Sequence, residues 1–257
     1  MTLYYNINDN VKLYKGDCLE ILDSISNNSI DLIFADPPYF LSNNGITCKS
    51  GRMESVNKGE WDKGLSIDEI HNFNYLWIEK CKSKLKDDGT IFISGTYHNI
   101  YSIGFCLQKL GFKILNDIAW FKVNPPPNLS CRFFTHSTET ILWAKKNPKA
   151  KHKFNYQAMR KINDPAVDKQ MLSLWKIMPP RKSEKLLGKH PTQKPISLLN
   201  RIVEAATNEG DVVLDPFVGS GTTALACINY NRKFIGIDES DEYLALAKLR
   251  INDALNI

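Results

Sequence analysis

Apolar positions in this chain fall into short runs and helical stripes that alternate from one end to the other. Val11-Lys12-Leu13-Tyr14 alternates apolar and polar and predicts a strand that stops at Lys15-Gly16-Asp17. Leu19, Leu22 and Ile25 then recur at helical spacing and predict a short helix from Cys18 to Ile25. The apolar run Leu32-Ile33-Phe34-Ala35 predicts a buried strand over Ile30–Ala35. Ser66 to Leu85 predicts a helix, with Ser66 as its cap and Asp68 and Glu69 in its first turn. Thr90–Ser94 predicts a strand after the turn Asp87-Asp88-Gly89, and Ile100–Leu110 a helix that stops at Gly111. Phe112–Val123 and Glu139–Ala144 predict two further strands. Thr192–Thr207 predicts an amphipathic helix with Pro195 in its first turn and Ile196, Leu199, Ile202, Val203 and Ala206 on one face. A strand at Asp211–Leu214, a helix at Thr222–Ile228 and a strand at Lys233–Ile237 follow. A last helix begins at Ser240, with Asp241 and Glu242 opposing its dipole.

Alternating strands and helices predict an α/β fold, a mostly parallel sheet with helices on both faces. Ligands in such sheets bind at the carboxyl ends of the strands. Asp17, Asp36, Asp215 and Asp238 each stand at or just after the end of a predicted strand, so four carboxylates are expected along one edge. Between them lies one long polar stretch, Phe40 to Lys63, rich in Ser, Asn, Gly and Lys. It reads as a mobile loop that orders over bound substrate, because loops of that length in compact domains are usually functional. No internal repeat interrupts the pattern, and residues 1–257 read as a single domain.

Composition narrows the class. The chain has 257 residues, 43% of them hydrophobic, and contains no apolar run of the roughly 18 residues a membrane span needs. Its first residues lack the basic and apolar regions of a secretory signal. The six cysteines form no CxxC pair, which argues against zinc and against a disulfide framework. A cytoplasmic protein with no metal site and no membrane association is expected. The net charge of +5 is unevenly spread. Lys122–Lys189 holds fifteen Lys/Arg against four Asp/Glu, which leaves the rest of the chain acidic. A basic block in an acidic chain fits a polyanionic partner, or merely a solvated surface. Within it, Asn124, Asn128, Arg132 and His136 stand among Phe133 and Phe134. Such side chains read base edges, and the interleaved aromatics favour nucleic acid.

Two motifs carry the chemistry. Asp215-Pro216-Phe217-Val218-Gly219-Ser220-Gly221 follows a strand and opens a helix at Thr222, so its glycines permit a tight turn and a close ligand approach. Asp238, with Glu239 beside it, ends the next strand about twenty residues on, where an acid accepts hydrogen bonds from ribose hydroxyls. The third glycine of a dinucleotide site is missing, so an amino-acid-bearing nucleoside fits better than NAD. The other motif is Asp36-Pro37-Pro38-Tyr39. Its prolines stiffen the chain and keep their carbonyls free. The Asp36 carboxylate and the Pro37 carbonyl can take the two N–H donors of an exocyclic amine, and Tyr39 can stack on the ring. That base must be flipped or already unpaired. Asp17, with Cys18 next to it, either caps the following helix or contacts the cofactor's adenine. His190 is either a catalytic base or part of the approach to the amphipathic helix. Lys194 can bind a cofactor carboxylate or a phosphate.

At these residues the chain resembles the β-class amino DNA methyltransferases, from about Leu13 to Arg250. The motif order is that of a circularly permuted Rossmann-like methyltransferase: the Asp36–Tyr39 motif first, a target-recognition insertion at about 122–189, then His190–Pro195, and the glycine motif last. The resemblance implies S-adenosylmethionine as cofactor. Asp36, Pro37, Pro38 and Tyr39 would be catalytic. Asp17, Cys18, Lys194, Asp215, Pro216, Phe217, Gly219, Ser220, Gly221, Thr222, Asp238 and Glu239 would bind the cofactor. Phe40–Asn43, Lys58-Gly59-Glu60-Trp61-Asp62, Asn128–Arg132 and Thr135–Thr140 resemble the second adenine methylases of DpnII-type restriction–modification systems. That resemblance implies N6 methylation of adenine in GATC, with single-stranded DNA accepted and a restriction endonuclease as functional partner. It adds Lys58 and Trp61 to the DNA-binding set. Members of the family often pair as homodimers.

Other readings are distinguishable. The same Asp-Pro-Pro-Tyr grip serves cytosine N4. An RNA or protein amide methyltransferase uses a related motif that usually begins with Asn, where this chain has Asp36. A cytosine-C5 methylase needs a nucleophilic cysteine, usually after proline, and none of the six follows one. A nucleic-acid-binding regulator on a decayed fold would not keep Asp36, Tyr39, Gly219 and Asp238 together.

Overall fold

The computed structural model describes residues 2–38, 46–49, 52–55, 66–125, 127–163 and 169–257. Its centre is a nine-stranded sheet. Five strands run parallel: β2 (Val11–Lys15), β3 (Ile30–Ala35), β6 (Leu85–Gly95), β10 (Val212–Asp215) and β11 (Lys233–Asp238). They stand in the order β2-β11-β10-β3-β6. β1 (Thr2–Ile7) pairs antiparallel outside β2. On the other flank β8 (Thr138–Lys145) runs antiparallel between β6 and β7 (Lys113–Phe121), and the short β9 (Leu174–Lys176) closes the edge beside β7.

The side-chain period of two explains the two layers. Along β3, Leu32 and Phe34 enter one core, which also holds Leu13, Phe92, Trp143 and the buried faces of α5 (Ile196–Ala206), α6 (Thr222–Asn229) and α7 (Asp241–Leu255). Ile33 and Ala35 enter the other, against α1 (Cys18–Ser24), α2 (Ile67–Lys84) and α3 (Ile100–Lys109). Every residue of β3 is buried, as a central parallel strand requires. Local signals set the helix starts. Ser66 and Glu69 form a reciprocal capping box on α2, and Ser240 accepts from the Tyr243 N–H on α7.

Several boundaries differ from expectation. The Asp87-Asp88-Gly89 turn lies inside β6, because the ladder to β3 starts at Leu85 and slips register before Thr90. The 40–63 stretch, read as a loop, contains two strands, β4 (Ile46–Lys49) and β5 (Arg52–Ser55), paired antiparallel. Three elements were not expected: β1 at the sheet edge, the mostly polar α4 (Tyr156–Asn163) and the three-residue β9. The 122–189 stretch is only partly an excursion, since β8 and β9 belong to the central sheet. β8 buries Ile141, Leu142, Trp143 and Ala144 there. Cys18, Cys81, Cys106 and Cys227 are buried free thiols, and Cys131 is exposed and free. Among the described residues no helix is long and apolar enough to cross a membrane.

The edge of the sheet away from the strand C-termini is tied by a buried acid. Asp31, 3% exposed, takes Lys153 Nζ at 2.8 Å, Lys86 Nζ at 2.7 Å and the Val212 N–H at 3.0 Å. Burial opposes its charge, but Lys153 and Lys86 outweigh burial and hold its carboxyl below the ordinary range. A group depressed in the folded state adds stability above its unfolded pKa and loses it as pH falls through the folded value. Asp31→Asn is therefore expected to cost about 3 kcal/mol at pH 7, read by urea unfolding. The deficit should shrink below about pH 4 as the wild-type carboxylate protonates.

Candidate active site

The C-terminal edge of the parallel strands opens into a cavity of about 300 Å³. Asp17, Asp36, Asp215 and Asp238, the four expected acids, all line it. The alignment follows from parallel strands in register: Asp238 pairs with Lys15, two residues before Asp17, and Ile33, three before Asp36, pairs with Leu214.

The glycine turn forms one wall. Gly219 and Gly221 have φ of +48° and +76°, in the left-handed region. A Cβ on Gly221 would stand 2.9 Å from Ala247 Cβ, and one on Gly219 3.1 Å from His190 Nε2. The Gly219 N–H donates to Asp238 Oδ2 at 2.8 Å and the Ser240 N–H to Oδ1 at 2.9 Å. Asp215 is 2% exposed and accepts from the Phe217 N–H at 3.0 Å and from Thr223 Oγ1 at 2.6 Å. Burial pushes its carboxyl up to about 7, and burial also raises Asp238. Arg250, buried on α7, donates to the Ser220 carbonyl and to Thr222 Oγ1. Phe217 packs edge-on against Trp77, with ring centres 5.4 Å apart. Pro216, Ser220 and Thr222 line the cavity with them.

The Asp36-Pro37-Pro38 turn, which follows the strand next to β10, lines the same cavity. Ser94, at the end of β6, donates to Asp36 Oδ1. Lys194 donates to Oδ2 and also faces Glu139 Oε2 at 3.6 Å, while Lys122 holds Oε1 of that glutamate. Lys194 is 6% exposed. Burial disfavours its charge, yet Asp36 and Glu139 more than offset this and raise its pKa. Asn99 Nδ2 donates to the Pro38 carbonyl at 3.0 Å, and Asn74 joins Asn99 to Ser102 and Trp77. Asp17 caps α1, accepting from the Leu19 and Glu20 N–H groups, and still lines the cavity with Cys18. Glu239 stands exposed at its mouth.

The cavity suits an amino-acid-bearing nucleoside. Acceptors for hydroxyls and amines stand at Asp17, Asp238 and Glu239, and Phe34, Phe73, Phe217 and Leu199 offer apolar wall. Gln193 Oε1 is buried in the lining and finds no hydrogen-bond partner among the described residues. A buried acceptor without a partner is costly unless a ligand supplies the donor.

The expected DNA-facing residues divide. Asn124, Arg132 and His136 are exposed. Asn128 is turned into its own loop, where Nδ2 donates to the Phe133 carbonyl at 2.6 Å and Oδ1 accepts from the Ser130 N–H at 3.1 Å. Here its amide is engaged within the loop. Tyr39, Lys58 and Trp61 lie outside the described residues. Part of the basic block serves the fold, since Lys122, Lys146 and Lys153 pair with Glu139, Asp87 and Asp31. Sequence reasoning missed Ser94, Asn99, Asn74, Glu139 and Arg250. Their signal was a polar residue at a position the apolar pattern buries. Among the described residues no acidic, histidine or cysteine cluster could hold a metal.

His190 lies against Tyr243, ring centres 4.2 Å apart, and its Nδ1 accepts from the Thr192 N–H at 3.3 Å. Burial pushes its pKa down to about 4, and Lys194 and Arg250 act in the same direction against Asp36. An NMR titration should find this ring neutral at pH 6. Because the unfolded chain takes up that proton first, His190 should lower stability as pH falls from about 6.5 toward 4. His190→Asn should flatten that part of the acid-unfolding curve.

Comparisons with known proteins agree with this geometry. A family model described as DNA methylase matches residues 30–249. The chain is 54% identical over 249 residues to the type II methyltransferase M2.DpnII of Streptococcus pneumoniae, covering 96% of this chain and 91% of that protein. It is 53% identical over 253 residues to the type II methyltransferase M2.LlaDCHI of Lactococcus lactis subsp. cremoris, covering 98% and 93%. Among solved structures, the M1.HpyAVI–SAM complex superposes with a TM-score of 0.68 at 32% identity, covering 93% of this chain and 99% of that one. The PvuII cytosine-N4-specific DNA methyltransferase shares the fold, with a TM-score of 0.74 at 23% identity over 96% of this chain and 92% of that one.

Proposed function

The chain belongs to the N6/N4 DNA methylase family, and from that premise we propose that it methylates N6 of adenine in GATC, accepts single-stranded DNA and acts beside a cognate restriction endonuclease. It is a type II DNA methyltransferase, and S-adenosylmethionine is its cofactor. The observation that carries the reaction is that the Asp36-Pro37-Pro38 turn and the Gly219-Ser220-Gly221 turn open onto one cavity. When bound, the cofactor supplies a methyl group on a positively charged sulfur that an amine lone pair can displace.

The chain's own groups do the rest by holding and orienting. Asp238 and Glu239 take ribose hydroxyls, Asp17 takes the cofactor's adenine amine, and Asp215 keeps Phe217 and Thr223 in place around the methionine part. Gln193 Oε1 offers an acceptor to the same ligand. On the substrate side, an Asp36 oxygen and the Pro37 carbonyl accept the two N–H bonds of the target amine. That grip turns the nitrogen lone pair out of conjugation with the ring and toward the cofactor cavity. Ser94 and Lys194 each hold one Asp36 oxygen, so the carboxylate cannot rotate away. Asn99 fixes the turn through the Pro38 carbonyl. Positioning of this kind accounts for a large share of catalysis when the reacting groups meet in line. Tyr39 would stack on the extruded base, as part of the same grip. Arg132 and Asn124 are exposed in the basic segment and would face DNA. GATC and the choice of adenine over cytosine rest on the resemblance in the Phe40–Asn43, Lys58–Asp62, Asn128–Arg132 and Thr135–Thr140 segments. A homodimer is the assembly that the family resemblance favours.

Transfer of a labelled methyl group to single- and double-stranded DNA containing GATC tests the proposal. N6-methyladenine within GATC is the expected product. N4-methylcytosine would replace the target base, and labelling at another sequence would discard the site. Asp36→Ala is expected to lower the rate by at least about a thousandfold with cofactor affinity changed only a few-fold. An unaffected rate would remove Asp36 from the reaction.

A further inference from the structure

A group of aromatic rings at the turn after β6 has no part in the chemistry above. β6 ends at Gly95, and Thr96-Tyr97-His98-Asn99 turns from it into α3. β8 is the antiparallel neighbour of β6, with Gly95 paired to Thr140, so the segment entering β8 lies beside that turn. Tyr97 and His136 meet across this junction, stacked with centres 4.6 Å apart and planes 19° apart. His98 lies 3.9 Å from Tyr97 and Phe133 lies 5.8 Å from His136. The rings stay open to water: Tyr97 is 50% exposed, Phe133 61% and the adjacent Phe134 96%.

Aromatic rings that cluster without being covered retain a strong drive to bury their faces. Two facts on the same edge say what covers them. The turn that carries Tyr97 also carries Asn99, which holds the Pro38 carbonyl of the substrate grip, so the rings stand next to where the target amine is held. The segment that carries His136 lies in the basic block, with Arg132 exposed beside it. Aromatic faces beside a cation match a single nucleic-acid strand, whose bases stack while its phosphates meet positive charge. A duplex offers no free base face to such rings.

We propose that Tyr97, His136, Phe133 and Phe134 form a stacking platform for an unpaired base flanking the target in the DNA strand. This deepens the proposed DNA reading and rests on it. The platform lies partly outside the 122–189 segment, because Tyr97 comes from the β6–α3 turn. It favours strands whose bases are already unpaired, since stacking then requires no duplex opening.

Binding, not turnover, tests it directly. Fluorescence anisotropy of a single-stranded GATC oligonucleotide, with S-adenosylhomocysteine present, gives Kd across a series of salt concentrations. Tyr97→Ala and Phe134→Ala are each expected to raise Kd about tenfold or more, with the slope of log Kd against log salt unchanged because no phosphate contact is lost. Tyr97→Phe should bind like wild type, since the ring stacks and the hydroxyl does not. Arg132→Ala should lower the salt slope instead. A 2-aminopurine placed next to the target should be quenched by wild type and less by Tyr97→Ala. Unchanged cofactor affinity in each variant confirms that the fold is intact. Kd shifts below twofold for both Tyr97→Ala and Phe134→Ala, with wild type binding normally, would overturn the platform and leave the function standing. Wild type that binds no DNA in this assay would overturn both.

Discussion

A buried ammonium held between two carboxylates organises this molecule. Lys194 joins the end of β3, through Asp36, to the start of β8, through Glu139. It comes from the segment just before α5, so three stretches of chain far apart in sequence converge on one charge. A charge taken out of water needs well-placed partners, or it costs several kcal/mol. Here each partner is itself held. Asp36 also receives Ser94, and Glu139 also receives Lys122. The Asp36 carboxylate is therefore held through both of its oxygens by the protein's own side chains.

The cofactor side is built by a different means, backbone geometry. Gly219 and Gly221 place their backbone where a side chain would strike His190 or Ala247. The N–H of Gly219 is held by Asp238, while Arg250 clasps the Ser220 carbonyl from α7. Asp215, raised to about 7 by burial, holds the turn through the Phe217 N–H and Thr223. The acids of this edge thus have unequal tasks. Asp215 shapes the turn from inside the protein, whereas Asp17, Asp238 and Glu239 border the space a ligand fills.

The same unequal division applies to the basic block. Lys153 ties the excursion between β8 and β9 to Asp31 and Asp211 under the sheet, and Lys122 belongs to the Lys194 network. Arg132 is left exposed beside aromatic rings. Net charge by itself overstates the surface offered to a polyanion, because cations that neutralise buried acids are no longer available to phosphates. Lys122 and Lys153 are set apart by the buried acids they face, which the count of charges along the chain does not contain.

Much of the architecture was legible in the chain. Apolar period and caps located β2, β3, β7, β8, β10, β11 and most helices, and the strand-end position of four aspartates placed the cavity at the right edge. These features are local: a repeat of two or 3.6 residues, a cap or a glycine turn is written within a few neighbours. β1, β9 and α4 were missed because short or edge elements are stabilised by what they pack against more than by their own pattern. Asp17 showed the same limit, since its cap to α1 and its place in the cavity coexist where the sequence offered them as alternatives. Sequence alone thus determined the α/β alternation and the edge of the sheet at which Asp17, Asp36, Asp215 and Asp238 gather. Only the tertiary structure decided that Lys194 faces Asp36, that Glu139 and Ser94 brace the pair, that Asn128 serves its own loop and that Tyr97 meets His136. Those pairings join residues whose strands and loops become neighbours only when the sheet is assembled, so no short-range pattern encodes them.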